Sequence, residues 1–252
     1  VRLGGVVPAE LALRVAFDGD AAETVTVRPV DGQVTLEREL PDAQPWTPEH
    51  PELHTVNVAA GDDVVIERFG LRTVAARDGA ILLNGEPVRL LGVNRHEAHP
   101  QLGPAQPAAL LAEDVRLLKD LGCNFVRGSH YPQDQRFLDL CDQMGLLVWE
   151  ESLAWGNLVE HATNPAFCDA QERQTRLMIR NSFNHPCVIL WGFLNEGPSH
   201  APEAAGLYDS LIALVRREDP SRLVTYASFH PTDDLHFDKV DVVSLNAYPG
   251  RY

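Results

Sequence analysis

No cluster of basic residues occurs anywhere in the chain, and acidic residues outnumber basic ones by 36 to 21, a formal charge of −15. A surface of that sign excludes nucleic acid and anionic membrane as natural partners and suits a neutral or small-molecule ligand. No apolar run approaches the ~18 residues of a membrane span, and no charged-then-apolar signal opens the chain; the expected setting is the cytoplasm. Only four cysteines are present, Cys123, Cys141, Cys168 and Cys187, with no C-x-x-C pair. They read as buried thiols of a reducing compartment. Neither G-x-G-x-x-G nor G-x-x-x-x-G-K-[ST] occurs, which weakens a nucleotide-binding sheet, and no serine sits in a G-x-S-x-G elbow, which leaves a serine hydrolase unsupported. The first residue is not Met, and Val1 to Pro8 read as mid-protein sequence, so a piece of a longer protein is expected.

What is present divides in two. With 252 residues and 44% hydrophobic content the chain can bury one large domain, or a medium one plus a small one. Residues 1–75 alternate apolar and polar positions in "ELALRVAFD", "ETVTVRPV", "QVTLERE", "HTVNVA" and "DVVIERFGLRTV", separated by Asp, Gly and Pro turn signals, the pattern of a small β-sandwich. Asn84-Gly85 between "ILL" and "EPV" is a hairpin signal. Over residues 76–252 the pattern becomes strand, helix, strand, helix. Six strands are predicted within "VRLLGVN", "CNFVRGSH", "GLLVWEES", "CVILWGFLNE", "RLVTYAS" and "VDVVSLNAY". The helices between them start near Pro107, Pro165 and Pro202 or stop at Gly122 and Gly145. Such alternation implies parallel strands with right-handed crossovers, in an open doubly wound sheet or a (β/α)8 barrel of which about six units are visible.

The strand ends carry the chemistry. The first ends in Asn94, Arg95, His96 and Glu97, the second in Arg127, Ser129, His130 and Tyr131, and the third in Glu150, Glu151 and Ser152. The fourth ends in Asn195 and Glu196, the sixth in Asn246 and Tyr248. One acidic residue after a strand is a helix cap more often than a catalyst. Five strands of six delivering carboxylates, imidazoles, amides and a phenol to one rim point instead to the carboxyl face on which barrel active sites are assembled. So polar a rim suits a ligand rich in hydroxyls, a sugar. Trp191 is expected to pack in the fourth strand, while Trp149 and Trp155 can reach the rim and stack on a sugar face. The rival is metal-dependent hydrolysis at His96, Glu97 and His99, but H-E-x-H is one residue short of the helical H-E-x-x-H and directly follows a strand.

"LLGVNRHEAHP", "DVRLLKDLGCNFVRGSHYPQDQRFLDLCDQMGLLVWEES", "NHPCVILWGFLNEG" and "DVVSLNAYPGRY" together resemble the catalytic barrel of glycoside hydrolase family 2, the β-glucuronidase and β-galactosidase group. "WTPEHPELH" and "RFGLRTV" resemble the end of the immunoglobulin-like sandwich before that barrel. The resemblance implies an immunoglobulin-like β-sandwich over 1–75, a TIM-barrel catalytic domain over 76–252, and a retaining exo-β-glycosidase using two carboxylates. It makes Glu196 the general acid/base, places Asn195 on the sugar 2-hydroxyl, and assigns His96, His130 and Arg127 to the sugar subsite. Glu151 and Asn246 join the substrate-binding set, and Tyr248 supports the nucleophile. That nucleophile is in the family a glutamate at the end of the seventh strand. None follows Tyr252, so the polypeptide as given is expected to lack it and to be inactive alone. The Glu-x-His metal pattern of β-galactosidases is missing from "EESLAWGN", so no metal or other cofactor is expected. The expected substrate is a small-molecule or oligosaccharide β-glycoside, with homo-oligomerisation a possibility for the parent protein. The alternatives are a non-catalytic carbohydrate-binding barrel and the metal-dependent hydrolase.

Overall fold

The computed structural model describes Val1, Leu3 and residues 7–250. Alternation in the first part yields β1 (Leu11–Phe17), β2 (Glu23–Val27), β3 (His54–Ala60) and β4 (Asp63–Phe69), paired antiparallel in the order β2-β1-β3-β4. Leu13 and Val27 bury one face of this sheet under Val34. "QVTLERE", expected as a strand, does not join a sheet. After an isolated bridge between Val30 and Gln33 it runs over the first layer, Val34 donating its N–H to Val1 O at 2.9 Å. Val34 is buried against Leu13 and Val27 while Leu36 stays 39% exposed, so the segment is anchored at one apolar residue without pairing as a strand.

β5 (Val74–Arg77), β6 (Ala80–Leu83) and β7 (Glu86–Val88) form a three-stranded meander. Its second turn is the expected one: Leu83 pairs with Glu86 across Asn84 and Gly85, whose φ values of +52° and +85° are those of a tight hairpin of the I′ kind. Leu83 enters the main core, and Val74, Ile81 and Val88 pack against it.

Then strands and helices alternate: β8 (Gly92–Arg95), α1 (Ala108–Asp120), β9 (Phe125–Gly128), α2 (Gln135–Met144), β10 (Leu147–Glu151), α3 (Val159–Ala162), α4 (Pro165–Ser182), β11 (Val188–Gly192), α5 (Ala205–Glu218) and β12 (Leu223–Thr225). β12 resumes after Tyr226 as β13 (Ala227–Ser228), followed by β14 (Ser244–Leu245). Every pair among these strands is parallel, and each strand neighbours the next in sequence. A doubly wound sheet reverses its strand order at a switch point; unidirectional winding is that of a barrel. Six of its eight units are present, preceded by the antiparallel layers. At the two ends of the curved sheet Val93, Val243 and Leu245 are 43–50% exposed, and β8 and β14 have no outer neighbour among the described residues.

Helix ends follow local chemistry. Asp134 caps α2 by accepting the Arg136 N–H at 2.8 Å, Asn164 caps α4, and Gly145 ends α2 at φ +70°. β11 is buried along its length, with Trp191 fully enclosed and its Nε1–H donating to Asp219 at 2.9 Å. The antiparallel part is tied to the barrel by Trp46, which donates to Asp142 O at 2.8 Å, and by Arg72, which donates to Val188 O at 2.9 Å. The four cysteines are free thiols, and no helix of the described residues is long and apolar enough to cross a membrane.

Candidate active site

Side chains alternate along β10. Trp149 and Glu151 face the barrel interior, while Glu150 faces the helices, where it lines a groove with Gln133, Gln135, Gln174 and Ser182. The adjacent glutamates thus occupy different environments. Glu151, fully buried, accepts from Arg127 Nε at 2.9 Å through Oε2 and lies 2.9 Å from His130 Nδ1 through Oε1. Arg127 also donates from Nη2 to Asn195 Oδ1 at 2.8 Å, with its guanidinium 4.4 Å above the Trp149 ring. His130 Nδ1 is 3.2 Å from Arg127 Nη2 as well. It cannot donate to Glu151 and accept from Arg127 at once; the shorter contact to an anion wins, so Nδ1 carries the proton. Trp149, expected at the rim, is 6% exposed: it is a floor beneath Arg127. Trp155 does reach the rim, 56% exposed and 6.2 Å from the His130 ring.

At the end of β11 the chain takes left-handed conformations at Leu194 (φ +47°) and Glu196 (φ +50°), an arrangement that costs non-glycine residues energy and clusters at functional sites. Asn195 between them is bound to the β10 side: its N–H donates to Ala154 O at 3.0 Å and its carbonyl accepts from Gly156 at 2.8 Å. Glu196 is bound to the β13 side, its N–H donating to Ala227 O at 2.8 Å. Their side chains share Asn246, whose Nδ2 donates to Asn195 Oδ1 at 2.9 Å and to Glu196 Oε1 at 2.7 Å. Tyr248 OH donates to the same Glu196 Oε1 at 2.6 Å.

These contacts decide which atoms are left for a ligand. With two donors on its Oδ1, Asn195 has its amide N–H groups to offer. With two donors on Oε1, Glu196 has Oε2 on which to hold or deliver a proton. His96 lies exposed on the rim, its ring 5.5 Å from His130 and its Nδ1 3.3 Å from Tyr131 OH. The eight residues of the expected site therefore fall in one region: Arg127, Glu151, His130 and His96 on the Asn195 side, Asn246 and Tyr248 joining Glu196. Phe229 and His230 follow β13 at the position where the other strands carry their polar residues, a signal that residue type obscured.

His96, Glu97 and His99 diverge. Glu97 Oε1 accepts from the Asp134 N–H at 2.7 Å and from Arg95 at 3.2 Å, while His99 Nδ1 accepts the Gln101 N–H at 3.2 Å. Among the described residues the one grouping of metal-type ligands is Asp142, His185 and Cys187. It lies at the amino end of β11, opposite the end that carries Asn195 and Glu196, and its atoms are engaged with one another: Asp142 binds His185 Nδ1 at 2.5 Å and accepts the Cys187 N–H at 3.0 Å. Burial pulls the His185 pKa down, but the Asp142 hydrogen bond and charge outweigh it and raise it overall. Glu150, fully buried, is pushed by burial up to about 7, against the opposing influence of Ser182, His185 and Arg222.

Comparison with known proteins places this geometry. Residues 74–252 match the family described as "Glycosyl hydrolases family 2, TIM barrel domain". The chain is 33% identical over 247 residues to a β-glucuronidase of Sus scrofa, covering 92% of this chain and 38% of that protein. It is 35% identical over 178 residues to a β-galactosidase of Thermoanaerobacter pseudethanolicus, covering 68% of this chain and 23% of that one. Among solved structures it matches a GH2 β-galacturonidase from Eisenbergiella tayi bound to galacturonate, with TM-score 0.88 and 36% identity over 95% of this chain and 44% of that one. The chain spans less than half the length of each of these relatives.

Proposed function

The chain belongs to glycoside hydrolase family 2, and on that premise we propose that it carries the acid/base half of a retaining exo-β-glycosidase of the β-glucuronidase and β-galactosidase kind. Residues 1–75 serve as the supporting sandwich and 76–252 as the catalytic barrel. The observation that carries the reading is the pair Asn195 and Glu196, with one oxygen of each fixed by Asn246 and the other end of each left for substrate.

Glycosidic oxygen is a poor leaving group, so Glu196 protonates it from Oε2 as the bond to the anomeric carbon breaks, then takes a proton from the water that hydrolyses the glycosyl intermediate. Asn195 donates to the 2-hydroxyl, a hydrogen bond that tightens as positive charge grows on the ring and so contributes to rate. Arg127 and Glu151 hold the Asn195 amide in register, with His130 and His96 facing the sugar. Glu151 is unsuited to attack the anomeric carbon because Arg127 and His130 occupy its two oxygens. The nucleophile is therefore a further carboxylate about 5 to 5.5 Å from Glu196.

The test is Glu196→Gln in the full-length protein. Hydrolysis of alkyl β-glycosides should fall by roughly 10²–10⁴-fold, the range of a lost general acid, while dinitrophenyl glycosides, which depart unprotonated, lose far less at the glycosylation step. Equal losses on both would remove Glu196 from the acid role. Binding of methyl β-glycosides by a wild-type protein that hydrolyses nothing would favour the non-catalytic carbohydrate-binding barrel.

A further inference from the structure

We propose that Trp149 is a positioning residue of the reaction: its ring sets the plane of the Arg127 guanidinium and, through it, the Asn195 amide that meets the sugar 2-hydroxyl. Gly192 is the residue that lets the ring lie there. The proposal rests on the glycosidase reading and deepens it at the same site.

Arg127 makes its polar contacts within the plane of its guanidinium. Glu151 Oε2 accepts from Nε at 2.9 Å and lies 2.7 Å from Nη2, and Asn195 Oδ1 accepts from Nη2 at 2.8 Å. Bonds within the plane of a flat group fix its direction more firmly than its tilt, and a tilted guanidinium aims its N–H above or below the Asn195 oxygen. The tilt is stopped by the face of the Trp149 ring, 4.4 Å from the guanidinium carbon, with both side chains almost wholly buried. A cation over an indole face is held most strongly where water is excluded.

Packing alone does not call for an indole at this position. The other two buried tryptophans each place their Nε1–H on an acceptor, Trp46 on Asp142 O at 2.8 Å and Trp191 on Asp219 at 2.9 Å. Trp149 Nε1 is buried and has no acceptor among the described residues. An aliphatic side chain would fill the place without an orphaned donor. The neighbouring strand is shaped to admit the ring. Trp191 points outward to Asp219, so Gly192 faces the interior, where it pairs with Glu151 in the β10–β11 ladder. A Cβ on Gly192 would lie 2.0 Å from Trp149 Nε1 and 2.8 Å from Cε2. Glycine weakens a strand interior and marks a close approach. Here the approaching group is the indole, on the strand that delivers Asn195 three residues later.

The test is kcat/KM of the full-length protein on 4-nitrophenyl β-D-glucuronide and β-D-galactoside and on the 2-deoxy form of each, which lacks the hydroxyl that Asn195 meets. For whichever sugar is hydrolysed, Trp149→Leu and Trp149→Met should lose about tenfold on the 2-hydroxy glycoside, the order of one desolvated cation–π contact, and less than about twofold on the 2-deoxy one. Trp149→Phe, which keeps a ring, should recover most of the loss. In an Asn195→Ala background Trp149→Leu should cost nothing further on the 2-hydroxy glycoside. Both substrates are run on one preparation, so the ratio between them is independent of the fraction that folds. Equal losses on the two glycosides, full rates on both, or a Phe variant as poor as the Leu variant would overturn the role of Trp149 alone. Asn195→Ala losing equally on both glycosides, or a wild type that hydrolyses neither sugar, would overturn the glycosidase reading and the proposal with it.

Discussion

Substituting Glu150 by glutamine should stabilise the protein at pH 8 and give no gain at pH 5. Burial raises this carboxyl from an ordinary 4.5 to about 7, outweighing the influence of Ser182, His185 and Arg222, which favour its charged form. A carboxyl whose folded pKa is raised is bound to its proton more tightly in the folded state. Its contribution to stability is full below the unfolded pKa near 4.5, is lost as pH climbs toward 7, and changes no further above that. At 1.36 kcal/mol per pKa unit the displacement corresponds to roughly 3 kcal/mol. Glutamine keeps the shape and removes the titration, so above pH 7 the variant should recover most of that, about 2–3 kcal/mol. For a chain of this size that is a rise in Tm of about 4–12 °C. His185, whose pKa is also raised, loses stabilising influence over the same direction of pH. His54, raised against its burial by Asp18, acts in the same direction, and His236, lowered by burial, in the opposite one, so Glu150→Gln should flatten the wild-type slope without abolishing it. Thermal and urea unfolding from pH 5 to 8 measures both effects. A variant weakened equally at every pH would refute the reasoning, because it would mean that Glu150 acts through its shape or through a hydrogen bond rather than as a carboxyl denied solvent.

The remaining predictions concern the site's framework. Arg127→Ala leaves Glu151 buried without its cation and should cost about 3–5 kcal/mol, seen in the urea midpoint; adding Glu151→Gln should recover part of the loss, and a second full loss would show that the two do not act as a pair. Gly145→Ala should destabilise by well over ~1 kcal/mol, since φ is +70° and a Cβ there would lie 2.0 Å from Pro48 O. Gly85→Ala, at φ +85° in open space, should cost only the ~1 kcal/mol of the strained turn; similar losses at the two glycines would show that the contact with Pro48 is not rigid.

Local signals were readable in the sequence where one residue type answers one local demand. Gly145 and Gly122 stop their helices, Asn84-Gly85 turns its hairpin, and the apolar run into Asn195-Glu196 makes the strand that ends at the site. "QVTLERE" alternates as a strand should, yet pairing depends on how much apolar area a second layer can bury, and only Val34 of the segment is buried while Leu36 stays 39% exposed. Trp149 and Trp155, six residues apart, are equally aromatic; only the phase of β10 turns the first beneath Arg127 and leaves the loop after the strand to expose the second. The same phase separates Glu150 from Glu151, which no neighbouring residue distinguishes. Asn246 shows the harder limit. Its place at the sixth strand end was visible, but its bond to both Asn195 and Glu196 exists only because β14 follows β13 around the sheet, bringing together residues about fifty positions apart. Position at a strand's carboxyl end is thus a better guide to the rim than residue polarity. Applied without regard to polarity, that rule selects Phe229 and His230 after the fifth strand as readily as it selects Glu196 after the fourth.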